Sequence, residues 1–278
     1  MLLDAASVWS KAWPILFAIL FFGVIILIHE LGHFTVAKLS GIKVNEFAIG
    51  MGPKLLSFGK GETKYSLRLI PMGGYVQMEG EDEASEDERA FNQKPVWKRF
   101  LVVIAGAVMN IILGLVLVAI LLTQQNLIGT TQIAGFHENA SSQSSGLQEG
   151  DVITHINGTS VWSDRDISFL MARDRDGVID FTVKRDGQKT ELKNVKFDTR
   201  EVDGQTVITF DFIIIGENKT FWNVLKTSFL ETASMARLVW LSLFDLVTGR
   251  FGLSDLAGPV GTVSVIAEAV SYTHLRAH

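Results

Sequence analysis

Two long uncharged stretches decide most of what this chain can become. From Ala12 to Ala37, between Lys11 and Lys38, the only strongly polar side chains are His29, Glu30, His33 and Thr35. From Phe100 to Thr123 there is no charge at all, and Asn110 carries the only amide. An α-helix needs about 20 apolar residues to cross the hydrocarbon of a bilayer. Both stretches exceed that length, so they predict spans over about 12–37 and 100–123. The competing reading of the first, a cleaved signal peptide, calls for a shorter apolar run followed by a small-residue cleavage site.

Orientation follows from lysine and arginine alone. The N-terminus carries only Lys11, whereas the loop from Lys38 to Arg99 carries ten basic residues. Basic loops stay on the cytoplasmic side. Loop 38–99 is therefore expected in the cytoplasm, and the segments outside the two spans are expected on the opposite face. Composition narrows the function. The 25 basic and 30 acidic residues leave a net charge of −5, without the basic surplus of a nucleic-acid binder. With no Cys, the chain has no disulfide scaffold, no thiolate metal ligand and no thiol nucleophile.

The remaining segments read as separate pieces. Residues 79–89 form an acidic segment expected to be solvated. Residues 127–216 read as a soluble β-rich domain. In it Val178–Val183 alternates with period two, and Asp186-Gly187 supplies a type I′ turn into the next strand. Val207–Ile215 reads as a further strand. Phe221–Val247 is apolar but interrupted by Lys226, Glu231, Arg237 and Asp245, spaced as on one face of an amphipathic helix. Such a helix lies on a membrane rather than crossing it, and residues 217–270 are accordingly read as a membrane-associated region.

The chemistry is concentrated at His29-Glu30-Leu31-Gly32-His33. Residues i and i+4 share a helix face, so both imidazoles reach one metal ion. Glu30 projects about 100° round the helix from His29, close enough to take a proton from a water activated by that metal. Ionisable groups inside an apolar span are costly and mark function. Here they directly follow the sixteen-residue apolar run Trp13–Ile28. Two interfacial histidines at a helix end are the bland alternative. A soluble metalloprotease helix would be amphipathic rather than apolar all round.

Phe22–Phe34 resembles the first motif of the site-2 proteases, the intramembrane zinc metalloproteases. Within them it is most similar to the bacterial group related to the regulator of sigma-E protease. Further matches follow in order. Leu69–Met78, with Gly73-Gly74-Tyr75, resembles the family's membrane re-entrant β-loop, read here as 65–78. Ala90–Arg99 is similar to its approach to the second helix, and Ala105-Gly106 with Asn110 to the small-residue motif inside that helix. Ser145–Gly158 resembles the core of a PDZ domain, present once rather than twice, and Gly258-Pro-Val-Gly261 resembles the motif before the family's third conserved helix.

The resemblance implies a multi-pass α-helical membrane protein, with a re-entrant β-loop and an inserted PDZ-like domain. The peptidase core would occupy 1–126 and the PDZ-like domain 127–216, the latter outside the cytoplasm of a bacterial inner membrane. It implies Zn2+ held by His29 and His33, with Glu30 as catalytic base. Gly73, Gly74, Tyr75 and Asn110 become candidate substrate contacts. The implied partners are a single-pass transmembrane substrate, such as an anti-sigma factor or remnant signal peptide, a peptide ligand for the PDZ-like domain, and the lipid bilayer. An exposed β-edge beside the metal would hold an unwound substrate by main-chain pairing.

Catalytic zinc ordinarily takes three protein ligands. In this family the third is an Asp in an Asn-Pro…Asp-Gly motif on a later helix, and no such motif occurs in this chain. Residues 271–278 depart from the family and read as an artefactual tail after a truncated end. The chain by itself is accordingly expected to be inactive. The alternative function is a non-catalytic membrane scaffold that presents a PDZ peptide-binding domain.

Overall fold

The first helix forms where nothing opposes it: its sequence is apolar, and its one proline sits early. In the computed structural model, which describes residues 5–174, 176–202 and 205–248, α1 runs Ala5–Leu39 with Pro14 inside it. It stops at a glycine. Gly41 takes a left-handed φ of 72°, and Ile42 N–H bonds back to the Ala37 carbonyl at 2.9 Å, which closes the last turn. Trp13, Ile15, Leu16, Phe17, Leu20, Phe21 and Val24 are all exposed, the reverse of a soluble helix.

The second helix, α2, covers Val96–Gln124 and likewise exposes Val103, Ile111 and Ile120. Both helices are long and apolar enough to cross a membrane, and both extend past the boundaries expected from sequence. The chain divides into two units, one through Gly114 and one from Leu115 to Val247. Gly258-Pro-Val-Gly261 and residues 271–278 lie outside the described residues.

In the first unit the expected β-loop over 65–78 is half of a larger hairpin. Strand β1 is Val44–Phe58 and β2 is Lys64–Met78, paired antiparallel. The ladder is folded on itself, since Ala48 faces Tyr75 on one side and Ser66 on the other. Gly50 makes the fold possible: at φ 84°, a Cβ there would meet the Ile70 carbonyl oxygen at 2.6 Å. The base of the hairpin packs with the end of α1 through Ala37, Ile42, Val44, Phe47, Val76 and Met78, and with Val102 of α2. The acidic segment is tied down as well: Lys43 pairs with Glu79 and Asp87, and Glu62 pairs with Lys38 and Arg89.

The second unit begins with β3, Ile128–Phe136, and the single turn α3, Ser141–Ser144. Strands β4 (Val152–Ile156) and β5 (Thr159–Ser160) lead into α4, Asp164–Ala172. The hairpin β6 (Val178–Arg185) and β7 (Gln188–Lys196) follows, with Asp186 and Gly187 both at positive φ as a type I′ turn requires. The short pair β8 (Thr199–Val202) and β9 (Gln205–Ile208) precedes β10, Phe212–Glu217. The main sheet runs β10-β3-β4-β6-β7, and β5 pairs with β4. Ile133, Ile153, Met171, Ile179, Phe181 and Val183 fill its core, each worth about 1.5–3 kcal/mol on burial.

The single strand expected over Val207–Ile215 is broken, because Asp211 has another role. Its carboxylate accepts the Ser142 N–H at 2.9 Å and the Ser142 hydroxyl at 2.6 Å, anchoring α3. The last helix, α5, spans Phe221–Val247. Three of its four charges face the sheet unit rather than water, and Lys226 is exposed. Glu231 pairs with Arg165 at 2.8 Å, Asp245 with Arg173 at 2.6 Å, and Arg237 with Asp166 at 3.0 Å. Ser228, Glu231, Ser234 and Asp245 are buried, while Phe221, Trp222, Phe229, Trp240 and Phe244 are exposed. Lys219 fastens the start of α5, donating to the Thr123 carbonyl at the end of α2 at 2.8 Å.

Candidate active site

One turn of α1 brings His29 and His33 onto the same face. Their Nε2 atoms stand 3.1 Å apart. Nδ1 of His33 is 2.7 Å from the Val102 carbonyl oxygen on α2. A carbonyl only accepts, so Nδ1 carries the proton and the Nε2 lone pair is free. Tetrahedral zinc with Zn–N bonds of about 2.0–2.1 Å needs its nitrogens about 3.3 Å from one another. The spacing of the two rings fits that requirement.

The facing helix leaves room for an ion. A Cβ on Gly106 would lie 2.5 Å from Nε2 of both His29 and His33. Any side chain there would fill the point on which the two nitrogens converge. Close approach of the helices depends on a second glycine: at Gly32, a Cβ would meet the Ala105 carbonyl oxygen at 2.5 Å. Among the described residues no third His, Cys, Asp or Glu joins the pair in a metal-binding group.

The hairpin supplies the other wall. A Cβ on Gly74 would lie 2.8 Å from the Ala48 oxygen and 3.2 Å from Cγ of Glu30. The main chain of β2 therefore runs directly beside the glutamate. Gly73 takes a φ of 86° at the start of this stretch, and Gly23 of α1 sits where a Cβ would touch the Pro71 oxygen at 3.3 Å. From Gly74 to Met78, β2 pairs with the first half of β1 along one edge.

The sequence-derived candidates separate here. His29, Glu30, His33 and Gly74 come together. Asn110 reaches the same place from α2, its amide nitrogen 3.2 Å from Nδ1 of His29, so its contact is with a histidine ring. Tyr75 is held in the hairpin, where its hydroxyl bonds to Arg68 and the Arg68 guanidinium lies 4.9 Å over its ring. That guanidinium also pairs at 3.2 Å with Glu46, which is buried. Gly106 and the Val102 carbonyl have a part that sequence reading did not give them. For Gly106 there was a signal, since two histidines one turn apart on a packed helix need a facing residue without a side chain. Val102 gave none, because it contributes only backbone.

Comparison with known proteins bears on the chain as a whole. The profile of Peptidase family M50 matches residues 17–277. A Clostridium acetobutylicum protein, whose name marks it provisionally as a zinc metalloprotease, is 41% identical over 263 residues, covering 94% of this chain and 76% of that protein. A Clostridium perfringens protein named in the same way is 37% identical over 256 residues, covering 92% and 75%. The Regulator of sigma-W protease RasP of Bacillus subtilis strain 168 is 28% identical over 325 residues, covering 87% and 77%. With a match that spans both apolar helices, the hairpin and the sheet unit, this chain belongs to peptidase family M50 and is a zinc metalloprotease.

Proposed function

We propose that this chain is the core of an intramembrane endopeptidase that cleaves a single-pass transmembrane protein within or near the bilayer. The observation that carries the reading is the convergence of His29 and His33 Nε2 on the space left by Gly106, in a helix whose exposed side chains are apolar. His29 and His33 would hold zinc, which when bound supplies Lewis acidity to the scissile carbonyl and acidifies water. Glu30 takes the proton of the attacking water and returns it to the leaving amine, a role worth about 100- to 10,000-fold in rate. The edge of β2 at Gly74 offers main-chain pairing to an unwound segment and sets it beside Glu30. Gly73 allows the turn that brings this edge in, and Tyr75 stiffens it through Arg68.

In this reading the sheet unit over 127–216 is a PDZ-like domain outside the cytoplasm of a bacterial inner membrane, filtering substrates by binding a peptide end. Loop 38–99 lies in the cytoplasm, as its basic residues favour. Helix α5 rests on the bilayer. Its carboxylates are neutralised against the sheet unit and its aromatic face is left to lipid. The substrate class is an anti-sigma factor or a remnant signal peptide.

The test uses the native gene in cells that lack other M50 proteases, with a single-pass reporter. Glu30→Gln should abolish reporter cleavage while the purified protein keeps its zinc. Undiminished cleavage by the variant overturns the assignment. The second reading is a non-catalytic scaffold that presents the PDZ-like domain. It is favoured by the lack of a third metal ligand among the described residues, and it predicts an intact reporter with wild type and variant alike.

A further inference from the structure

Because its ladder is folded on itself, the β1–β2 hairpin lays four segments side by side. They run 74–78, 44–49, 64–68 and 54–58, with Gly74 opposite Ile49 and Tyr65 opposite Phe58. The two faces of this small sheet differ. Phe47, Tyr65 and Phe58 line up on one, and Phe34 of α1 packs on the first two with ring centroids 5.1 and 6.2 Å away. The other face carries a polar row built from Tyr75, Glu46, Ser66, Arg68 and Lys54, drawn from all four segments.

Glu46 is the centre of that row. It is buried, with 6% of its surface exposed. Its carboxylate accepts from Lys54 at 2.9 Å, from Arg68 at 3.2 Å and from the Ser66 hydroxyl. Arg68 carries the row onward, donating to the Tyr75 hydroxyl and, at 2.8 Å, to the Gly52 carbonyl. One carboxylate thus ties the outer segment 54–58 and its neighbour 64–68 directly to 44–49, and ties 74–78 through Arg68.

A sheet of this composition needs such a tie. Register is weakly specified in glycine-rich strands, and a slip of one residue turns every side chain to the opposite face. Gly50 and Gly52 lie at one bend and Gly73 at the other, all at positive φ. Gly74 opens the last segment, so four positions around the substrate edge have no side chain to interlock. A one-residue slip of 74–78 would take Tyr75 to the aromatic face and leave its Arg68 donor unpaired, which is costly. It would also move the main chain beside Glu30 by about 3.4 Å.

We propose that Glu46 is a positioning residue that fixes the register of the Gly74 edge, and so selects which peptide bond of a paired substrate lies beside Glu30. The inference rests on the reading of β2 as the substrate-pairing edge. It assigns the register of that edge to a carboxylate on the adjacent strand.

The experiment expresses the native gene with a single-pass reporter in cells that lack other M50 proteases, and identifies the product termini by mass spectrometry. Wild type should cut at a defined bond. Glu46→Gln keeps the outline of the side chain but no longer neutralises Lys54 and Arg68. It should cut the wild-type bond about 100-fold less, the scale of an ångström-sized misplacement, and should yield new termini one or two residues away. Tyr75→Phe removes only the far end of the row and should shift the termini the same way to a smaller extent. Hydrogen exchange of the purified proteins should be faster over 74–78 in Glu46→Gln than in wild type, with α1 and α2 unchanged.

A structural role alone would lower the yield and leave the termini where they are, and that result overturns the proposal. Exchange over 74–78 that matches wild type overturns it as well. If Glu46→Gln does not accumulate, Tyr75→Phe decides by the same two readouts. Failure of the peptidase reading looks different: wild type itself would leave the reporter intact, and exchange would then report whether Glu46 holds the edge.

Discussion

Gly106 and His29 approach so closely that a single methyl group on the glycine would lie 2.5 Å from the ring nitrogen. The same methyl would lie 2.5 Å from Nε2 of His33. The proposed metal position would therefore depend as much on a missing side chain on α2 as on the two imidazoles on α1.

Gly106→Ala should accordingly empty the site without unfolding the chain. Alanine favours the helix over glycine by about 0.8–1.0 kcal/mol, which offsets part of the overpacking cost of about 1–3 kcal/mol, so α2 should stay folded. Zinc affinity should fall by more than the roughly 10- to 100-fold typical of supporting residues, and proteolysis should fall with it. Metal analysis and circular dichroism of the purified variant check both halves. Retained zinc would show that the ion sits elsewhere.

The turn between β1 and β2 should respond to acid. Hydrogen bonds from Arg89 and then Lys38 hold the Glu62 carboxyl at about 2, below its ordinary 4.5. A carboxyl depressed in the folded state stabilises it fully above the unfolded value, and that contribution is lost as pH falls through the folded value. The window is therefore about pH 4.5 down to 2. Thermal melts of wild type and Glu62→Gln should differ at neutral pH and converge across that window. A gap independent of pH would refute the linkage.

Helix α5 should be in contact with lipid. Brominated acyl chains should quench the fluorescence of Trp222 and Trp240, both exposed on its aromatic face. Trp-to-Phe variants at each position identify the source of the signal. Emission unaffected by bromination in reconstituted vesicles would remove α5 from the membrane.

Much of this architecture could be read in the chain itself. The two apolar runs and the His29–His33 spacing depend only on local pattern, and local pattern is what sequence carries best. The hairpin was half legible. Leu69–Met78 has β-forming residues around its glycines, whereas β1 contains Gly50, Gly52 and Pro53 and alternates poorly. The strand character of its first half, up to Ile49, comes from lying between the two halves of β2. The single strand read over Val207–Ile215 was lost to Asp211, whose carboxylate is needed by α3 some seventy residues away in sequence. For α5 the charge spacing was visible but its direction was not. Only the arginines at 165 and 173 reveal that the polar face turns inward. Asn110 could be noticed as an amide in an apolar helix, yet its partner is chosen by how α1 and α2 cross.

The two histidines are held by unlike means, and this gives them unlike evolutionary exposure. His33 bonds to the carbonyl of Val102, and every amino acid carries that carbonyl. No change of side-chain polarity at position 102 can delete it. His29 depends on the amide of Asn110, which one nucleotide change can remove. Genetic drift in a lineage that no longer needs proteolysis should therefore reach the proposed metal site first through Asn110 and last through Val102.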